Sequence, residues 1–237
     1  MTIGILILGV LLIFGCNSPD NDTDRNGSKL PSERIVTNNT IVSKTLPEIR
    51  IKVAEEFVYL GDFEFEIIAN SNEYPEDLQG KPVAAGERLV FAKANGNSDI
   101  EKLFIVQFEG FLPSNDFVYN YDFSTADFIG SKKYRHNTWY YDPKVSIKEN
   151  PLGELARTDA FLREKGFLAD GDFMMSRFVG LASDDRKNEI IIFYHEMLEN
   201  STGYSLDQWE NEVSEEEAVA IDNAFAARSR VSFEILD

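Results

Sequence analysis

The stretch from Phe173 to Leu198, FMMSRFVGLASDDRKNEIIIFYHEML, contains two apolar runs separated by six polar residues. Each run, Phe173–Ala182 and Glu189–Leu198, has the length of a strand and is rich in aromatic and aliphatic residues. The polar link between them, Ser183–Asn188, is too short for the crossover that parallel strands need. The stretch therefore predicts an antiparallel β-hairpin.

More strands are indicated upstream of this hairpin. Ile49–Val53 and Phe63–Ile67 have apolar residues at every second position, which is typical of strands with one solvent-facing side. Glu87–Ala94 and Lys102–Phe108 are separated by the short sequence NGNSD, whose Asn and Gly residues favour the left-handed conformations of hairpin turns. We therefore predict a second hairpin from these two runs.

A mid-chain helix is predicted between the two halves of the sheet. Asn150 is a suitable N-cap, and Pro151 fits the first turn of a helix, where its missing N–H is not needed. The apolar spacing continues through Leu162, and Gly166 is a typical residue for ending a helix in the left-handed conformation. These signals predict one helix from about residue 151 to residue 165.

A second helix is predicted near the C-terminus. Ser214 and Glu217 have the spacing of a capping box for a helix over Glu215–Ser229, and Val231–Leu236 then has the pattern of a last strand. Strand pairs followed by single helices favour an α+β fold, with a mostly antiparallel sheet built from hairpins. We predict one mid-chain helix, one C-terminal helix and the closing strand.

The N-terminus has the pattern of an export signal. Ile3–Phe14 is entirely apolar but shorter than the roughly 20 residues that a membrane-spanning helix needs. Ile13-Phe14-Gly15-Cys16 resembles the lipobox of bacterial lipoproteins. The resemblance implies cleavage before Cys16, which would then carry diacylglycerol and an N-linked acyl chain as a membrane anchor.

The resemblance also implies a domain organisation and a location. Residues 1–15 would be the signal peptide, residues 16–47 a polar flexible tether, and residues 48–237 a single globular α+β domain. The expected location is the bacterial cell envelope, with the domain exposed to the periplasm or the cell surface. Cys16 is the only cysteine of the chain, so its lipidation would leave no thiol for a disulfide, a nucleophile or a metal ligand.

The charge of the chain limits its partners. Its 237 residues carry a formal net charge of -18, which repels nucleic acid and argues against a polyanionic substrate. Asp20–Asp24 begins like a calcium-binding loop, but Arg25 and Pro31 occupy the positions that require Gly and Glu. We therefore predict no metal, no cofactor and no nucleic-acid partner.

The two histidines are the candidates for catalysis. His195 lies on the same predicted strand face as Ile191 and Phe193, which favours a buried histidine over a general base. The sequence has no nucleophile elbow, no phosphate-binding loop and no second histidine for a zinc motif. We favour a non-catalytic domain. The alternatives are an anchored hydrolase that uses His195 or His136 with a carboxylate, and a structural subunit of an envelope complex.

Aromatic residues are concentrated between residues 117 and 141. Phe117, Tyr119, Tyr121 and Phe123 alternate, which predicts a strand that packs its rings on the core. The following polar and aromatic stretch predicts an exposed loop that binds a carbohydrate, a peptide or an envelope protein through its rings. The residues predicted for this contact are Tyr134, Arg135, His136, Trp139 and Tyr140.

Overall fold

The structure is a computed structural model, and it describes residues 34–71 and 74–236. Cys16, the predicted signal peptide and the first half of the predicted tether lie outside these residues. The described residues form eleven strands: β1 (Arg34–Thr37), β2 (Thr40–Ser43), β3 (Ile49–Val53), β4 (Val58–Ile68), β5 (Pro82–Ala94), β6 (Ile100–Phe111), β7 (Asp127–Ile129), β8 (Lys132–Tyr141), β9 (Phe173–Leu181), β10 (Asn188–Met197) and β11 (Phe233–Leu236).

The strands form two sheets. The smaller sheet has the order β1-β2-β3-β11, and the larger has the order β4-β5-β6-β10-β9-β8-β7. All strand pairs within both sheets are antiparallel. The predicted α+β fold with a mostly antiparallel sheet is confirmed at this level.

The hairpin on which the prediction was built lies at the centre of the larger sheet. β9 and β10 pair from Leu181 opposite Glu189 to Phe173 opposite Met197, within one residue of the predicted strand bounds. The predicted second hairpin is also present, because β5 and β6 pair over most of their length. Sequence alternation and short polar links therefore located the four strands of both hairpins.

The end of the predicted tether requires correction, because residues 34–43 are part of the folded domain. β1 and β2 are joined by Asn38 and Asn39, which both have positive φ angles, of 50° and 55°. Two consecutive residues in this conformation form the turn that best fits the twist of a hairpin, and Asn adopts it readily. The polar composition predicted a tether, but this asparagine pair closes a hairpin and Ile41 is completely buried.

Five helices are present in the described residues, where the sequence predicted two. They are α1 (Pro143–Glu149), α2 (Glu154–Glu164), α3 (Leu198–Thr202), α4 (Leu206–Asn211) and α5 (Glu215–Val231). None of the helices in residues 34–71 and 74–236 is long and apolar enough to cross a membrane.

The predicted mid-chain helix is present as α2 but begins at Glu154, and it is preceded by α1, a helix that was not predicted. Asn150 ends α1 and does not begin a helix, because Asp142 and Pro143 provide the same cap-and-proline signal eight residues earlier. The side chain of Asp142 accepts a hydrogen bond from the Lys144 amide at 2.7 Å. α2 then begins after Gly153, and Gly166 follows its end with a φ of 83°, as the sequence predicted. At the C-terminus, Ser214 caps α5 as predicted.

The larger sheet separates two hydrophobic layers. One layer lies between the sheets and α5, and it includes Phe104, Tyr194, Ile51 and Phe225. The opposite layer lies between the larger sheet and α2, which contributes Leu162. Because side chains alternate along each strand, even-numbered residues of β9, of β10 and of β6 from Lys102 onward face the first layer, and odd-numbered residues face the second.

Candidate functional site

The residues predicted as one contact surface lie on strand β8, and the strand divides them between its two faces. Tyr134, His136 and Tyr140 face the layer that contains α5, whereas Arg135 and Trp139 face the opposite side. The predicted exposed loop is therefore wrong as a description of this stretch. β8 pairs with β9 along residues 135–141, so the polar residues alternate on a strand and do not form one surface.

Two of these tyrosines have structural roles. Tyr134 is completely buried, and its ring lies where any side chain at Gly180 of β9 would have to be. Tyr140 stacks on Trp209 of α4 with 4.3 Å between ring centroids, and its hydroxyl donates a hydrogen bond to Asp222 of α5. Burial, followed by this bond, raises the pKa of Tyr140 above its ordinary value. The Tyr140 ring therefore attaches α4 and α5 to the sheet, and the Tyr134 ring fills the space over Gly180.

His136 makes a short contact with a serine, but the geometry does not support hydrolysis. Its Nε2 lies 2.6 Å from Ser176 Oγ, and its ring stacks on Phe178 with 4.5 Å between centroids. Ser176 is completely buried and donates a hydrogen bond to Ser229 of α5 at 3.0 Å. A nucleophile must reach substrate, so this Ser–His pair joins β8, β9 and α5 as a packing element.

His195 is buried as the sequence predicted. It packs against Phe173 at 5.5 Å and Phe193 at 6.1 Å between ring centroids. Burial, with a smaller effect of Arg88, lowers the pKa of His195 to about 3, so the ring is neutral at physiological pH. Its Nδ1 has no hydrogen-bond partner among the described residues, and Met175 is opposite it on β9. It therefore lacks the carboxylate that would orient a catalytic histidine.

The segment from residue 112 to residue 126 carries the other predicted aromatic residues. Their alternation is confirmed, since Tyr119 is buried and its even-numbered neighbours are exposed, but the segment is not a strand of either sheet. Arg186, in the turn between β9 and β10, donates to the carbonyl oxygens of Tyr119 at 2.7 Å and Tyr121 at 3.2 Å. The side chain of Arg186 thus supplies hydrogen bonds to this segment that a neighbouring strand would otherwise donate.

Beneath this segment lies a pair of buried glutamates that the sequence reasoning missed. Glu109 of β6 and Glu189 of β10 are directly opposite each other and are 8% and 1% exposed. The negative charge of Glu109 raises the pKa of Glu189, so the two carboxyl groups interact across the strands. Tyr119 donates a hydrogen bond to Glu109 at 2.9 Å, whereas Oε2 of Glu189 is buried without a hydrogen-bond partner among the described residues.

The environment of the pair favours the protonated form. Burial, followed by repulsion from Glu154, raises the pKa of Glu109, and burial followed by repulsion from Glu109 raises the pKa of Glu189 to about 9. Arg177 acts in the opposite direction on Glu189. Two carboxylates this close cannot both ionise readily, so the pair keeps one proton at neutral pH.

An arginine network continues from this pair toward α2. Arg88 is 5% exposed and donates to Gln107, to Thr158 Oγ1 at 2.7 Å and to the carboxylate of Glu154. Gln107 in turn donates to Glu109. The segment 112–126 and α2 shield this network from solvent. The sequence signal for it was the presence of polar residues at inward-facing positions of otherwise apolar strands.

An open cavity lies at one end of the larger sheet, where two turns meet. We call it the cationic groove; it has a volume of about 450 Å³. One wall is the β7–β8 turn, where Gly130 has a φ of 61°, and the other is the β9–β10 turn. Its lining residues are Phe123, Lys132, Lys133, Leu181, Ala182, Ser183, Asp184 and Arg186.

The charge of this groove is opposite to that of the whole chain. Three cationic side chains and a single carboxylate line it, on a protein with a net charge of -18. Within residues 34–71 and 74–236, no ion pair involves Lys132 or Lys133. The ammonium of Lys133 lies 5.6 Å from the centroid of the Phe128 ring, a cation–π contact that attracts the ammonium but carries no net negative charge to neutralise it. The groove is therefore suited to attract an anion.

Comparison of the chain with protein-family models, with curated proteins and with solved structures found no match. In the part of the chain that the structure describes, no three acidic, histidine or cysteine residues are grouped as metal ligands.

Proposed function

We propose that the chain is a lipid-anchored protein of the cell envelope whose folded domain is a non-catalytic binding module, with the cationic groove as its ligand site. One observation carries the proposal: the groove is an open concavity lined by three cations and one carboxylate, whereas His195 and the glutamate pair are buried and His136 is half-buried against Ser176 and Phe178. The groove replaces the contact loop that was predicted from the sequence, because the residues of that loop lie on β8.

The groove has the composition of a binding site and lacks a catalytic set. A pocket of roughly 300–1,000 Å³ with a few polar groups is typical of small-molecule sites, and the groove is within that range. It is lined by no histidine, and its hydroxyl group, on Ser183, donates to Asp185 at 2.6 Å. A serine without a neighbouring base is a weak nucleophile, so binding without turnover is the function that the geometry supports.

Thermal unfolding of the full-length protein in a mild detergent tests the binding function. Panels of oligosaccharides, peptides and divalent metals are added, and a ligand at a hundred times its Kd should stabilise the protein by about 2.7 kcal/mol. We expect a rise in Tm that Lys133→Glu abolishes. Lys144→Glu, an equal charge change at an exposed position of α1, should leave the rise unchanged.

Two results would contradict this function. If a ligand that raises the Tm is also converted to product, the domain is catalytic. If the rise survives Lys133→Glu and is lost on Trp139→Ala, the ligand site is on β8 and not in the groove.

A further inference from the structure

We propose that the cationic groove binds a short oligosaccharide that carries one or two carboxylates. This inference rests on the binding function proposed above, and it adds the chemical class of the ligand. Three features of the lining support it: cations from both turns, a single carboxylate, and an aromatic ring together with two small or aliphatic side chains.

One of the three cations, Arg186, is held in place before any ligand arrives. The backbone of Arg186 has a φ of 60°, a conformation that residues other than glycine seldom adopt. Its guanidinium is fixed by hydrogen bonds to the carbonyl oxygens of Tyr119 and Tyr121. Asp185 braces the same turn, since it accepts hydrogen bonds from Ser183 Oγ at 2.6 Å and from the Lys187 amide at 3.0 Å. A rigid site loses less entropy on binding, so this wall favours affinity.

The opposite wall supplies charge without a competing partner. Lys132 and Lys133 follow the two-residue turn after β7, and Ile129 is paired with Lys132 across it. Each lysine is a compact, mobile point charge that can follow a carboxylate. Together with Arg186 they set up a local positive potential, which screening confines to roughly 10 Å at 0.1 M salt.

The remaining lining distinguishes a sugar from a simple anion. The exposed carboxylate of Asp184 can accept hydrogen bonds from the hydroxyl groups of a sugar, and sulfate or a fully ionised phosphate has no such donors. The ring of Phe123, beside Leu181 and Ala182, offers an apolar surface on which the C–H face of a sugar ring can pack. A ligand with carboxylates, hydroxyls and an apolar face matches all of these groups.

The charge of the whole molecule limits the ligand to a short one. A long polyanion would extend past the groove and meet the field of a protein with a net charge of -18. One or two carboxylates can be neutralised by Lys132, Lys133 and Arg186 alone. The groove volume of about 450 Å³ also limits the ligand to the size of a small molecule.

Titration calorimetry on the full-length protein in a mild detergent tests the proposal, with digalacturonate as the probe and neutral galactobiose as its uncharged counterpart. We expect digalacturonate to bind at least about tenfold more tightly than galactobiose, because opposite charges across a site add to affinity and specificity. The double variant Lys132→Glu/Lys133→Glu should lose at least about tenfold in affinity. The control, Lys144→Glu/Lys148→Glu on α1, changes the net charge equally and should bind like the parent.

A second variant tests the contribution of the ring. Phe123→Leu keeps an apolar side chain in the half-buried position but removes the flat face, so it should weaken digalacturonate and galactobiose alike. Its Tm is measured beside the parent, so that a folding defect is recognised.

Other outcomes would overturn the ligand class. If inorganic phosphate binds as tightly as digalacturonate, the groove is a general anion site. If digalacturonate does not bind while a peptide or a neutral sugar raises the Tm in a manner that depends on Lys133, the binding function stands and the ligand class is wrong. If no probe or panel member binds at the groove, both proposals fail.

Discussion

At the scale of single residues, Glu109 and Glu189 make the stability of the domain depend on pH. The pKa of Glu189 is raised to about 9 from an ordinary value of 4.5, so between these values the folded state binds more protons than the unfolded state. The free energy of unfolding therefore falls as pH rises through this window. The contribution of Glu189 is fully present below pH 4.5 and is lost above pH 9.

We predict that Glu189→Gln removes this pH dependence. The amide has the shape of the protonated carboxyl and never ionises, so at pH 9 the variant should be more stable than the parent, by on the order of 2 kcal/mol. Urea unfolding of both proteins at pH 5, 7 and 9 measures the difference. Glu234→Gln, at an exposed position of β11, is the control. A difference between Glu189→Gln and the parent that is constant across the three pH values would contradict a shared proton.

At the scale of elements, the β1–β2 hairpin joins the N-terminal part of the domain to the rest. Ile41 of β2 is completely buried, and Arg34 of β1 forms an ion pair with Glu87 at 3.1 Å. The Arg34 guanidinium also lies 4.1 Å from the centroid of the Phe108 ring. These contacts cover the core between the two sheets.

We predict that a chain beginning at Thr45 is less stable than one beginning at Arg34, by at least about 3 kcal/mol. Loss of β1 and β2 removes Ile41 from the core and leaves one edge of β3 unpaired, and removal of one large buried aliphatic side chain alone costs about 2–5 kcal/mol. Urea unfolding of the two truncated chains measures the difference. Identical midpoints would mean that this hairpin does not contribute to the cooperative fold.

The sequence predicted elements better than contacts, and the reason is physical. Alternation and turn residues are local, so they located β9, β10 and the helix that begins after Ser214. The cationic groove depends on two turns that are separated by about fifty residues of sequence and meet only in the fold. The sequence shows that Glu189 is a polar residue inside an apolar run. It does not show which residue lies opposite Glu189 on the neighbouring strand.

At the scale of the whole molecule, the proposed attachment to a membrane depends on the lipid and not on the protein surface. A chain with a net charge of -18 is repelled by anionic headgroups, so salt should not release an anchored protein. Two or more acyl chains anchor stably, whereas one binds only marginally. Removal of the lipid should therefore remove nearly all membrane association.

We predict that the parent chain, expressed in bacteria, incorporates labelled palmitate and stays with the membrane fraction after a wash in 1 M NaCl (Debye length about 3 Å). Cys16→Ala should incorporate no label and should leave the membrane fraction. Cys16→Ser is a second variant that keeps the size and polarity of the side chain but lacks the thiol. Label in either variant, or none in the parent, would contradict lipidation at Cys16. Release of a labelled parent by salt would show that charged contacts, and not the acyl chains, hold the domain at the membrane.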